Sequence, residues 1–401
     1  MRKILMISFL HSSQKHVGAL RTQRFFRHLP EFGWRPYVIT KPPPLKDGNP
    51  TAQATEEPLY ARSIPLNRPF HLEGLLWIPF MFAKALRLMR KEPVDIVLVS
   101  CPPFHQALAA PLLKKWFGFK LVIDYRDAWG LNPYHLRLDR FRKFILGMDK
   151  TLERRLLRHT DLLIVSHQEM GERYRAQFDF LKDRIGVVYN GFDPEDLEIG
   201  HGTLFPDFTI LHLGDFYANQ KTRDPDLFLS ALQRLVFEEK GRGGRLRALF
   251  AGEKYAEVER AIATRGLSEY VSYLDRVPRP VAMDYLKRSH MLLLIETTNV
   301  MTTKVYEYLA TGKPILALGV NPELKALIER YSSNSYVIAH PDVQEIGRCI
   351  LDCYRNYRRN SPPLLDEFRQ TFSRKNQTAL LAQRLGDLLE KDKTGAIGAM
   401  G

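Results

Sequence analysis

Lys304 and Glu307 stand three residues apart just behind a polar turn, a cation and an acid where a phosphate-bearing ligand could be gripped. They belong to the stretch 291–319, MLLLIETTNVMTTKVYEYLATGKPILALG. Its apolar opening, 291–295, is long enough for a buried strand. The turn 296–303, which includes Thr302 and Thr303, leads into a short helix over 304–311. Gly312 falls where a helix C-cap glycine belongs, Pro314 prevents continuation, and 314–318 reads as the next strand. A strand that feeds a helix through such a turn aims unpaired N–H groups beyond the strand's carboxyl end, where a phosphate can sit. Lys304 adds a full positive charge there. Glu307 is not a capping-box glutamate, because the residue three positions earlier is Lys304, which cannot act as an N-cap. Two readings of it stay open: a ligand-binding carboxylate, or a solvated first-turn acid favoured by the helix dipole.

Other candidates lie at the ends of expected strands. Ser100-Cys101-Pro102-Pro103 closes one strand, with Phe104 and His105 opening a helix. Asp124-Tyr125-Arg126-Asp127-Ala128-Trp129 closes the next. An open α/β sheet keeps its crevice at such ends. Arg126 and Asp127 read either as functional groups or as an ion pair bracing the turn. His105 reads either as a ligand contact or as a structural helix-start histidine. Arg21 and Arg24, three apart in an Arg-rich helix after the first strand, share a face that could meet an anion. Asp224-Pro225-Asp226 has the look of a metal pair. It is better read as an N-cap followed by a first-turn proline, so no metal site and no cofactor are expected.

These groups need a scaffold, and the chain supplies one. Strands are expected at 3–8, 36–40, 95–100, 121–124, 162–165 and 186–189, and again at 209–213, 248–251, 271–274, 291–295, 314–318 and 336–339. Val-, Ile- and Leu-rich strands alternating with helices mean parallel sheets covered on both faces. Two such sets give an α/β chain of two Rossmann-like domains in series. The boundaries fall at 1–195 and 196–375, with the Asn190-Gly191-Phe192-Asp193-Pro194 segment as linker. A last helix, 376–392, could cross back to the first domain, and 393–401 reads as a frayed tail.

The 401 residues are 45% hydrophobic, ample for two cores. Three cysteines form no disulfide framework or metal pattern, which fits a cytoplasmic protein. The basic start MRKILMISFL runs into polar residues without a cleavage-like site and reads as a strand, not a signal peptide. No stretch is long enough to span a bilayer. Net charge is +14. Residues 1–195 hold 31 Lys+Arg against 19 Asp+Glu, and residues 196–401 hold 28 against 26. The first half therefore carries the excess and should attract something polyanionic. Within it, 71–91 places Trp77, Phe80 and Phe82 ahead of Lys84, Arg87, Arg90 and Lys91. That is either an interfacial helix at an anionic membrane surface or a helix packed on the first sheet with its basic end in solvent. No recognition-helix pattern or Arg–aromatic interleaving points to nucleic acid.

The run TKVYEYLATGKPILA at 303–317 resembles the nucleotide-sugar motif of family 4 glycosyltransferases. The resemblance implies a GT-B fold, two Rossmann-like domains facing across a cleft, the first for acceptor and the second for nucleotide sugar. It implies that Glu307 binds ribose hydroxyls, and that Thr302, Thr303 and Lys304 hold the diphosphate with Lys221 or Arg223. Gly18 would stand for a glycine pair that lets backbone approach the donor. Arg21, Arg24 and His105 would lie on the acceptor side, with Arg126 and Asp127 at the reaction centre. The S-x-P-P and R-D-x-W turns resemble a bacterial surface-polysaccharide branch. The sequence departs from the family pattern at Asn299, where many members have a second glutamate, and at Asp215, where an arginine is usual. The expected activity is metal-independent, configuration-retaining sugar transfer to a lipid-linked or polysaccharide acceptor, at the inner face of the plasma membrane. The alternatives are a nucleotide-sugar epimerase on the same fold, an inactive donor-binding relative, or a basic nucleic-acid-binding protein.

Overall fold

The computed structural model describes residues 1–12, 17–43, 58–63, 70–132, 140–198, 203–216, 223–237, 246–296, 301–357 and 362–398. The chain forms two compact units, Met1–Asn190 with Arg374–Gly401, and Gly191–Ser373. The break falls inside the expected linker, between Asn190 and Gly191. The final helix, Arg374–Gly398, starts two residues earlier than expected and continues into the stretch read as a tail.

The first unit's sheet contains β1 (Arg2–Ile7), β2 (Trp34–Thr40), β3 (Leu59–Tyr60), β4 (Ile96–Cys101), β5 (Lys120–Tyr125), β6 (Leu162–Val165) and β7 (Ile185–Val187). Their order is β3-β2-β1-β4-β5-β6-β7, and all pairs are parallel. Successive side chains point to opposite faces of a strand, and here both faces are apolar. Leu5, Ile7, Val97, Val99, Leu121 and Ile123 enter one core. Ile4, Met6, Ile96, Leu98 and Val122 enter the other, which the final helix closes with Leu381, Ala382 and Leu385. The two-residue β3 was missed because it is too short for any alternation to show.

Four helices of this unit matter below: α1 (Val17–His28), α2 (Phe70–Lys91), α3 (Ala110–Phe117) and α4 (Arg140–Arg158). On α2 the aromatics do not act together. Trp77 is fully buried and donates its indole N–H to the Ala61 carbonyl at 3.1 Å, so it cannot serve at a membrane boundary. Phe80 is exposed.

The second unit's sheet contains β8 (Phe208–Leu213), β9 (Leu246–Ala251), β10 (Val271–Leu274), β11 (Met291–Ile295), β12 (Ile315–Leu318) and β13 (Tyr336–Ile338). Its order, β10-β9-β8-β11-β12-β13, is again parallel throughout. Chain order reverses between β8 and β11, the position where ligands bind in such sheets.

Candidate functional site

In the second unit the carboxyl ends of β8 and β11 bring together residues from five separate stretches. β8 delivers His212 and then Gly214. The His212 Nδ1 lies 3.0 Å from the Leu293 carbonyl, which can only accept, so the proton sits on Nδ1 and the Nε2 lone pair is free to face Lys304 Nζ at 3.4 Å. Burial, reinforced by the Lys304 charge, drives the imidazole pKa well below its ordinary value. His212 is thus a neutral acceptor beneath the lysine. Gly214 has φ +100°, and a Cβ there would lie 3.0 Å from the Lys304 Nζ. The glycine is required both for its backbone and for the space the ammonium occupies.

Lys304 opens the Lys304–Ala310 helix after Thr303, whose side chain makes no capping bond. The Thr302 and Thr303 carbonyls accept the Val305 and Tyr306 N–H groups at 3.4 and 3.2 Å, tightening the first turn. Burial, followed by the nearby Arg223 charge, lowers the Lys304 pKa to about 7, with Glu296, Asp215 and Glu307 opposing. An amine poised there gains charge when an anion arrives.

Arg223 does not wait for a ligand alone. Its Nε and Nη2 both donate to Glu296 Oε2, at 2.9 and 2.5 Å, and Glu296 is completely buried. Glu296 is therefore a buried partner of Arg223, three residues before the position at which many family members have a second glutamate. That position, Asn299, lies outside the described residues, as does Lys221. Asp224 accepts the Asp226 N–H at 3.0 Å at the start of the Asp226–Phe237 helix, which is the cap its spacing predicts.

Glu307 corrects the solvated-acid reading. Its side chain is only 12% exposed and accepts from Arg279 Nη2 at 2.8 Å. Arg279 also donates through Nε to Asp196 at 2.9 Å. Burial disfavours the Arg279 charge, but Glu307 and Asp196 outweigh it and raise the pKa, holding the guanidinium charged. No sequence signal exposed this pairing, because Arg279 and Asp196 lie 28 and 111 residues from Glu307 along the chain. Asp215, where the family has an arginine, is met by one from elsewhere: Arg276 Nη2 donates to it at 2.7 Å and to Glu253 at 2.7 Å. Burial alone would raise the Asp215 pKa, yet Arg276 and the Glu253 N–H leave it lowered.

The first unit sorts its candidates differently. Arg21 is buried. Its Nε and Nη2 clasp Asp124 at 2.8–3.1 Å, and its Nη1 donates to the Tyr189 carbonyl at 3.1 Å. It is a brace between α1, β5 and the chain beyond β7, and it presents no charge to an acceptor. Arg24 is half-buried on the same helix, and Gly18 is the second residue of α1. Arg126 donates Nε to the Cys101 carbonyl at 3.2 Å and Nη2 to that of Pro102 at 2.9 Å. It ties the two strand-end turns together through carbonyls, not through an ion pair with Asp127. Asp127 is exposed at the turn and has no hydrogen-bond partner among the described residues. Desolvation by the surrounding protein nevertheless raises its pKa, with the Arg126 charge opposing. His105 pairs with Asp149 of α4 at 3.1 Å and sits edge-on to Trp129, which anchors it structurally.

Comparison with known proteins gives the class. The Glycosyltransferase Family 4 model matches residues 19–196, and the Glycosyl transferases group 1 model matches residues 207–356. Together they account for most of the chain, which belongs to the family 4 glycosyltransferases with the GT-B fold. No curated protein matches at the level of sequence. Among solved structures, sucrose-phosphate synthase from Thermosynechococcus elongatus is similar over 98% of this chain and 100% of its own, at 13% identity and a TM-score of 0.74. Anabaena Alr3699/HepE, in complex with UDP and glucose, is similar over 96% and 100%, at 15% identity and a TM-score of 0.64. A putative UDP-N-acetylglucosamine 2-epimerase from Listeria monocytogenes is similar over 98% and 98%, at 14% identity and a TM-score of 0.59. At such identities the likeness carries the fold alone.

Proposed function

We propose that the protein transfers a sugar from a nucleoside diphosphate sugar to a lipid-linked or polysaccharide acceptor. The observation that carries this reading is the cluster at β8 and β11. There an acid able to accept from ribose hydroxyls, Glu307, stands on the same short helix as the poised amine of Lys304. Arg223 and Arg276 flank them from other stretches. Transfer requires the departing diphosphate to be stabilised as the glycosidic bond breaks, and cations held by the protein can do this without a metal. Lys304, protonated on binding, and Arg223 are the groups assigned to it, with the Thr302–Thr303 backbone beside them. The anomeric carbon becomes oxocarbenium-like. Asp127, exposed and unpartnered among the described residues in the first unit, is assigned to stabilise that charge or to take the acceptor's proton. The family pattern implies retention of configuration.

An epimerase is the second reading, favoured by the epimerase fold likeness. Incubating the protein with UDP-, GDP-, dTDP- and ADP-sugars, with and without EDTA, separates the two. A donor should raise the melting temperature in EDTA, by an amount equivalent to about 2.7 kcal/mol at 100 times its Kd. NMR of the sugar should show unchanged ring stereochemistry in the absence of acceptor. Inverted stereochemistry at a ring carbon would establish the epimerase, and stabilisation only with added Mg²⁺ would overturn the metal-free reading.

A further inference from the structure

We propose that the outer faces of α2 and α3 form a docking surface for an anionic lipid bilayer. The proposal deepens the lipid-linked acceptor reading and rests on it for its biological purpose, though not for its physical argument. Helix α2 is apolar on two sides. Trp77, Met81, Ala85 and Met89 form its buried stripe, 0–2% exposed. Outside that stripe Leu75, Leu76 and Phe80 are 42%, 36% and 38% exposed, and α3 adds Leu112 at 47% and Trp116 at 56%. These five are half of the ten large apolar side chains exposed among the described residues. The two helices meet where the half-buried Phe82 packs ring edge to ring face on Trp116 at 5.7 Å. An amphipathic surface helix keeps its outer side polar; one that does not marks an interface.

Charge identifies the partner. Arg87, Arg90 and Lys91 follow the apolar residues along α2, and Lys115 lies beside Trp116 on α3, all exposed. The two helices carry one acid between them, Glu73, and Lys41 pairs with it at 3.6 Å. Apolar anchors beside unopposed cations match the boundary between acyl chains and anionic headgroups. No helix of the described residues is long and apolar enough to cross a membrane, so attachment here is peripheral.

The chain contains its own reporter. Of four tryptophans, Trp34, Trp77 and Trp129 are 0–2% exposed, and only Trp116 is open to a new environment. Adding vesicles of phosphatidylglycerol in phosphatidylcholine to the full chain at low salt should sediment the protein and shift its emission to the blue. Pure phosphatidylcholine should do neither, and high salt should release the protein. Trp116→Phe should abolish the shift while leaving most of the sedimentation. Phe80→Ser combined with Trp116→Ser should weaken vesicle binding more than tenfold. Arg87→Glu with Arg90→Glu should weaken it by at least about fivefold per residue. Each variant should keep the parent's thermal stabilisation by nucleotide sugar, so a failed donor reading would appear separately, as its loss in the parent. No sedimentation with anionic vesicles, or sedimentation without a Trp116 shift, would overturn the proposal. So would a dimer in analytical ultracentrifugation that the serine variants abolish without any vesicle binding, which would assign the face to a second copy.

Discussion

A carboxylate that must accept hydrogen bonds from a sugar has to be ionised, oriented and partly dry. Arg279 orients Glu307 through a 2.8 Å contact while sharing its own charge with Asp196, and the Glu307 side chain is only 12% exposed. Replacing Glu307 with Gln should weaken nucleotide-sugar binding by about 1.5–3 kcal/mol, roughly 10- to 150-fold, because charge-assisted hydrogen bonds are lost. Calorimetry would measure this, and unchanged affinity would remove Glu307 from the site. The melting temperature should fall as well, since the acid is buried and paired rather than solvated. Lys304 yields a pH signature. With its pKa lowered to about 7 in the empty site, it is largely neutral at pH 8 and must bind a proton when a diphosphate arrives. Donor affinity should therefore decline as pH rises above 7, and proton uptake at pH 8 should approach one, read by calorimetry in buffers of different ionisation enthalpy. Stability of the ligand-free protein should show the opposite sign. Between about 7 and the unfolded value of about 10.4 the unfolded chain binds the extra proton, so this residue's contribution rises with pH across that window. Lys304→Met should abolish both effects.

The elements were legible because their driving force is local. Runs such as MLLLI and LLIV can satisfy two apolar faces only as central parallel strands, and every expected strand is present within a few residues. The directions of side chains were less legible. Arg21 and Arg24 do share α1, but the spacing could not reveal Asp124, 103 residues away, which turns Arg21 inward. Arg279 was equally hidden, since nothing periodic links the start of one helix to an acid in another. On α2 three aromatics within six residues look alike in sequence, yet Trp77 lies in the buried stripe with Met81, Ala85 and Met89, while Phe80, only about 60° further round the helix, falls just outside it and is exposed. That difference is measurable. Trp77→Ala should destabilise the protein by about 3–5 kcal/mol, having removed a buried indole and left the Ala61 carbonyl without its donor. Phe80→Ala should stay within about 0.5 kcal/mol. Equal losses in urea unfolding would mean that both rings are packed.

At the scale of the whole molecule, the chain's end completes its beginning. The final helix contributes Leu381, Ala382 and Leu385 to a core that also takes Ile4, Met6, Phe25, Phe26 and Trp34 from the first 34 residues and Ile96, Leu98, Val122, Ile164 and Val188 from further along the chain. Its polar side binds the same unit: Gln377 accepts the Tyr189 N–H at 2.7 Å, Arg374 donates to the Asn190 carbonyl at 3.2 Å, and Lys375 pairs with Glu31 at 2.6 Å. One face of the first sheet thus depends on residues beyond Ser373, whereas Gly191–Ser373 is continuous in sequence. Truncation after Ser373 should therefore damage the units unequally. Burying each of three apolar side chains is worth on the order of 1–3 kcal/mol, a large share of a domain's 5–15 kcal/mol. Calorimetry of residues 1–373 should show the first unit melting far earlier or aggregating, while nucleotide sugar still raises the transition of the second. If the truncated chain melts as the full chain does, the final helix is an appendage and the first unit folds from residues 1–190 alone.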